Sequence, residues 1–277
     1  MRTRKAATLI EVIVVIVTLA VLMGLVIGSV QKVRLAASVM RLKNQTRQLS
    51  LAVLSVESDH GRLPAHFNMT TGASLVGFML PKLDYPANTP YATVPIPAFM
   101  SKTDPSYNFY PTRIDGTPGD SSFALNYLIF LLDNSSTQVT DGRSHTVMLS
   151  ERYARCGPIA NIVLSVAALF SKTPSGAISP ITGYTARPIT FADLHFDDVL
   201  PVYDPSSRTS LPSTPGLTFQ VAPRPDACDP RILQASTRSG LVVAMMDGSV
   251  RTISPSVAPA VYWSSLTPDR GEAVSLD

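Results

Sequence analysis

The feature that most constrains this chain is an apolar run that opens on a single acid. Arg2, Arg4 and Lys5 precede Glu11, and from Val12 to Gly28 no residue is charged. About 17 such residues are the fewest that carry a helix across a hydrocarbon core. The run is long for the apolar region of an ordinary signal peptide, which would also not place an acid at its start. A carboxylate at membrane depth costs at least ~2.5 kcal/mol, so Glu11 has to be met by a counter-charge. The sequence therefore reads first as a membrane-inserted helix with one carboxylate that demands a partner.

The helical pattern continues past the apolar run. Leu35, Val39, Leu42, Thr46, Leu49, Val53 and Val56 recur at alternating steps of four and three, with bases and polar residues between them. This is an amphipathic helix, and a stripe of that period ordinarily faces a core. The spacing predicts one helix from about Ala7 to Glu57, ended by Gly61 and Pro64. Residues 61–122 are rich in Pro, Thr and Asn and show little period, so they read as a long irregular connection with short strands, and residues 171–215 return to an irregular composition of Ser, Pro and Thr. Compact apolar runs lie at 123–132, 145–150 and 159–170, the last too short for a second span. Near the carboxy terminus GLVVAMM, Asp247-Gly248 and SVRTIS read as two strands around a tight turn, followed by a segment that Trp263 would anchor.

Composition excludes more than it assigns. The net charge of +3 comes from the bases of residues 1–6, and no nucleic-acid footprint is implied. The remainder suits one globular part of about 200 residues. Asp141-Gly142 and Asp247-Gly248 are turn signals before they are catalytic ones. Ser144 and His145, placed in a strand, would point to opposite faces and not pair. His60, His66, His145 and His195 show no metal spacing, and no nucleophile-elbow, phosphate-loop or zinc-protease motif is present, so no enzyme is expected. Cys156 and Cys228 are an even pair and a disulfide candidate if the domain is exported; two separate thiols are the alternative.

The row from Lys5 to Glu11, K-A-A-T-L-I-E, resembles the prepilin signature of type IV pilins and type II secretion pseudopilins, usually G-F-T-L-I-E. The resemblance implies that prepilin peptidase cuts between Ala6 and Ala7 and methylates the new amino terminus. It also implies that Glu11 meets the amino terminus of a neighbouring subunit in a filament. Ala6 stands where that family usually has Gly, and Ala7 where it has Phe. TDGRSHTVMLSER (140–152), ACDPRILQAS (227–236), VVAMMDGSVRTIS (242–254) and WSSLTPDRGEAV resemble blocks of the prepilin-like DUF1559 family. A Cys common there near Ser101 is absent, and Thr237-Arg238-Ser239-Gly240 replaces its usual His-Pro-Gly-Gly. Some secretion pseudopilins hold Ca²⁺ in a carboxy-terminal loop. Asp193, Asp197 and Asp198 beside His195, or Asp226 with Asp229, are the candidates for such a site here, and EF-hand spacing is missing. No other cofactor is expected.

Together these readings give an α+β, pilin-like fold, with a long amino-terminal helix packed on an antiparallel β-sheet domain with long irregular loops. The expected parts are a leader at 1–6, a transmembrane or filament-core half-helix at 7–30, an amphipathic half at 31–58 and a β-rich domain at 59–277. The expected protein is a single-pass inner-membrane precursor, amino terminus inside, that becomes a structural filament subunit. Its partners would be prepilin peptidase, other pilin or pseudopilin subunits and the membrane. Lys32, Arg34, Arg41, Lys43 and Arg47 follow the span, so the orientation rests on the resemblance and not on charge. The alternative is an uncleaved, membrane-anchored binding protein of the periplasm or surface that does not polymerise.

Overall fold

The uninterrupted helical pattern becomes one helix, α1, over Leu9–His60, which stops one residue before Gly61. The computed structural model describes residues 9–65, 74–91, 96–109, 120–130, 139–157, 159–162, 170–172, 178–180, 186–188, 190–191, 202–204, 209–211, 218–229 and 232–268. The chain divides into two compact units, Met1–Arg41 and Leu42–Asp277. In the first, an 18-residue window of α1 has a mean hydropathy of 3.0, and none of it is buried. It is therefore long and apolar enough to cross a membrane, while the described residues of its own unit offer it no core.

In the second unit α1 buries Leu42, Thr46, Leu49, Val53 and Val56. These belong to the stripe the spacing marks, but the stripe is shorter than expected. Leu35 is 51% exposed and Val39 only half-buried, because the described residues of the first unit are this helix alone.

Seven strands set the frame of the second unit: β1 Phe123–Asn126, β2 Val147–Glu151, β3 Thr190–Phe191, β4 Phe219–Val221, β5 Leu233–Ala235, β6 Leu241–Met245 and β7 Val250–Ile253. A five-stranded sheet runs in the order β7-β6-β2-β1-β3. Its first four strands are antiparallel, as expected; β3 adds a short parallel edge, with Leu125 opposite Thr190. β4 and β5 pair in parallel as a separate ribbon. Region 171–215, read as irregular, also holds antiparallel ladders between Phe170–Lys172 and Ile178–Pro180 and between Val202–Asp204 and Thr209–Leu211. Region 61–122 contains short helices at Leu75–Met79 and Pro105–Phe109 where short strands were expected. Turn-like composition hides elements of three to five residues, since each is fixed by its partners and not by its own period.

Both faces of the sheet are covered. Phe123, Leu125, Met148, Val242 and Ala244 meet Leu49, Val53 and Val56 of α1, with Leu75, Met79 and Phe99 closing that layer. Ala124, Val147, Leu241, Val243 and Met245 face the other way, onto Tyr262, Trp263 and Leu266. Trp263 stacks edge-on against Tyr262 with ring centroids 5.1 Å apart, which fits the anchoring role expected of it. Asn126 ties this layer down by donating through Nδ2 to the carbonyls of Val147 and Leu266, both at 2.7 Å.

The entry to β6 is sterically exacting. Gly240 has φ +118°, and a Cβ built on it would lie 2.1 Å from the Ile253 carbonyl oxygen. That backbone oxygen belongs to β7 and cannot yield without breaking the hairpin. Gly240→Ala is expected to lower unfolding free energy by about 3 kcal/mol or more, combining left-handed strain with a displaced strand. Urea denaturation followed by Trp263 fluorescence reads this directly; an unchanged midpoint would contradict the close approach.

Candidate functional site

Two features could carry function: the first turns of α1 and a set of carboxylates buried in the second unit. Glu11 stands in the first turn of α1 and is exposed, where an acid complements the positive end of the helix dipole. Ala6 and Ala7, the expected processing residues, lie outside the described residues. So do Asp193, Asp197, Asp198, His66 and His195.

The turns fold as their sequences imply. Gly142 and Gly248 take φ +94° and +83°. The Asp247 carboxylate accepts from the Ser249 amide at 2.8 Å. The two Asp-Gly turns lie against each other, Asp247 N donating to the Arg143 carbonyl and Met246 N to that of Thr146. Arg143 then grips Glu57 of α1 with both terminal guanidinium nitrogens, Nη1 donating to Oε1 at 2.9 Å and Nη2 to Oε2 at 2.5 Å.

Ser144 and His145 correct an expectation. They sit in a turn before β2, not in a strand, and Ser144 Oγ lies 3.1 Å from His145 Nδ1. The alternating geometry that would have separated them starts only at Val147. His60 is used structurally, with Nδ1 2.9 Å from the Val56 carbonyl and its ring edge-on to Phe78. Asp226 is held by Arg224 through paired contacts of 3.1 and 2.8 Å. Among the described residues no group of three or more His, Cys, Asp or Glu is gathered as a metal ion would need.

Cys156 and Cys228 are bonded to each other, with Cα atoms 5.5 Å apart. The bridge fastens the end of the Arg155–Cys156 strand to the segment after β4. Gly157 N donating to the Pro225 carbonyl and Tyr153 Oη to that of Pro223 hold the same junction.

The buried carboxylates were not foreseen. Glu151, the last residue of β2, is 2% exposed. It accepts from the Val242 amide at 2.7 Å, the Ser236 amide at 2.9 Å and the Ser236 hydroxyl, so it braces the 236–240 connection between β5 and β6. Asp104 is equally enclosed and accepts from Ser106 N and Oγ, Ser122 Oγ and Ala154 N at 2.6–2.9 Å. Arg155 Nε reaches Asp120 Oδ2 at 3.1 Å. The one sequence signal was the Glu151-Arg152 pair that abruptly closes the apolar VMLS run. Burial raises the Glu151 carboxyl to about 7, against the lowering pull of its three hydrogen bonds, with Asp104 adding to the rise. Burial likewise raises Asp104. Backbone amides and hydroxyls of packed segments are the partners, an arrangement suited to bracing loops.

No family model, curated protein or solved structure matches the chain.

Two outcomes follow from this geometry. The folded state holds its Glu151 proton more tightly than the unfolded chain does. Its contribution is therefore complete below about pH 4.5 and is lost as pH rises through about 7, a change of up to about 3 kcal/mol. Urea midpoints should fall between pH 5 and pH 8, and Glu151→Gln should flatten that slope, with its largest loss of stability at pH 5; a slope unaltered in the variant would exclude Glu151 as its source. The bridge closes a loop of sequence separation 72, worth about 4 kcal/mol in the loop-entropy account. The paired Cys156→Ser and Cys228→Ser variant should lose stability of that order, and reductant should then have no further effect on its denaturation curve.

Proposed function

We propose that this chain is a prepilin-like structural subunit of a type IV pilus or type II secretion type filament. The observation that carries the reading is the unburied apolar half of α1, with Glu11 in its first turn, on the same helix whose second half is built into the β-sheet unit. A helix that is apolar all round and buries nothing in its own chain needs lipid or other helices around it. The prepilin-like row Thr8-Leu9-Ile10-Glu11 supports the same assignment. Prepilin peptidase would cut between Ala6 and Ala7, and the freed helix would pack with those of neighbouring subunits, steered by Glu11.

The Cys156–Cys228 bridge supports an exported domain, since disulfides persist in oxidising compartments and are rare in the cytosol. It favours an inner-membrane precursor with the amino terminus inside. Ala6 in place of the usual Gly favours a second reading, in which the leader stays on and the chain is a membrane-anchored periplasmic or surface binding protein that does not polymerise.

Intact mass separates the two. The filament-subunit reading expects a chain that begins at methylated Ala7 in a sheared filament fraction; a chain that keeps Met1–Ala6 everywhere and never enters that fraction would sink it. Glu11→Ala should leave membrane insertion intact and reduce filament incorporation by about tenfold, the effect of one charge contact worth about 1.4 kcal/mol. Immunoblots of membrane and sheared fractions measure both.

A further inference from the structure

The membrane reading above leaves unexplained the bases that follow the apolar run. Lys32 and Arg34 are exposed on α1, and neither has an ion-pair or hydrogen-bond partner among the described residues. The helix cannot neutralise them itself, because no acid occurs from Val12 to Val56. At 1.5 Å per residue they lie roughly 6 and 9 Å beyond Gly28 along the axis. The polar layer outside each face of a hydrocarbon core is about 5–8 Å thick, so long side chains at these two positions end among headgroups. Arg34 brings a planar fork of donors that matches a phosphate, and Lys32 a compact charge on a flexible stem. Arg41 is also exposed, but it lies about 20 Å beyond Gly28, more than a Debye length of about 8 Å outside that layer.

We propose that Lys32 and Arg34, on opposite sides of α1, each dock an anionic phospholipid headgroup at the face of the membrane where α1 emerges toward the second unit's segment of the chain. This rests on the reading of α1 as a membrane helix. It assigns a role to charges that a positive-inside count would place on the opposite side. The headgroups would hold the precursor at a fixed depth and give its exit from the bilayer an electrostatic threshold.

The test uses the full chain in lipid nanodiscs of phosphatidylcholine, with trace spin-labelled phosphatidylglycerol or spin-labelled phosphatidylcholine. Electron spin resonance reads how strongly each probe is immobilised at the protein perimeter. The wild-type chain should select phosphatidylglycerol by about fivefold or more at low salt, the worth of at least one base at an anionic surface. The preference should fall toward unity at 1 M salt, where the Debye length is about 3 Å. Lys32→Gln with Arg34→Gln should lower it by about half or more, leaving what Arg2, Arg4 and Lys5 before the apolar run sustain, and Arg41→Gln should leave it near the wild-type value. Equal association of the two probes with the wild-type chain, or selectivity unchanged in the double variant, would overturn the proposal. So would a double variant that alters the number of chains per disc while lipid selectivity stays put, since the bases would then serve a second copy. A chain that enters no disc of any composition would overturn the membrane reading itself, and this inference with it.

Discussion

Burial of one helical stripe against one sheet face is the contact on which the second unit depends. Leu49 and Val53 are fully enclosed, and they meet Phe123, Leu125, Met148, Val242 and Ala244 from three adjacent strands. Each such aliphatic side chain contributes about 1.5–3 kcal/mol when removed from water, so the stripe outweighs any single polar contact in the unit. The strands it covers could not stay paired in water as a bare ribbon. The second cover, from Tyr262, Trp263 and Leu266, closes the other face. That closure explains why β1, β2 and β6 are buried along their whole length.

The polar braces fix what that packing leaves loose. Packing alone does not determine how the 236–240 connection runs, because the connection has little apolar surface. Glu151 determines it by offering two carboxylate oxygens to three donors. Asp104 does the same for the start of the Pro105–Phe109 helix and for the turn at Ala154. A carboxylate enclosed in this way makes the stability of the fold sensitive to proton concentration.

Legibility in the sequence followed the range of the interaction. The helix was readable because its 3.6-residue period is local, and the β6–β7 hairpin because Asp247-Gly248 announces its own turn. Which face each strand presents was not readable, since burial on both sides erases the alternation that would have marked it. Glu151 was missed for a different reason: its partners Ser236 and Val242 are 85 and 91 residues away, and nothing beside the carboxylate implies them. The cysteines showed that a bridge was possible, and only the fold brought the two within 5.5 Å. Ser144 and His145 were misjudged because the strand begins two residues later than the apolar run suggested.

The bridge between Cys156 and Cys228 has a further consequence for how such a chain can vary. It pinches the segment between them into a closed loop, both of whose ends are pinned to the same corner of the unit. Lengthening a loop that is already closed costs little, about 0.6 kcal/mol for each doubling. Entropy therefore sets little limit on the length of the pinched segment, whereas the Thr190–Phe191 edge strand and Phe219 tie it to the core at fixed points.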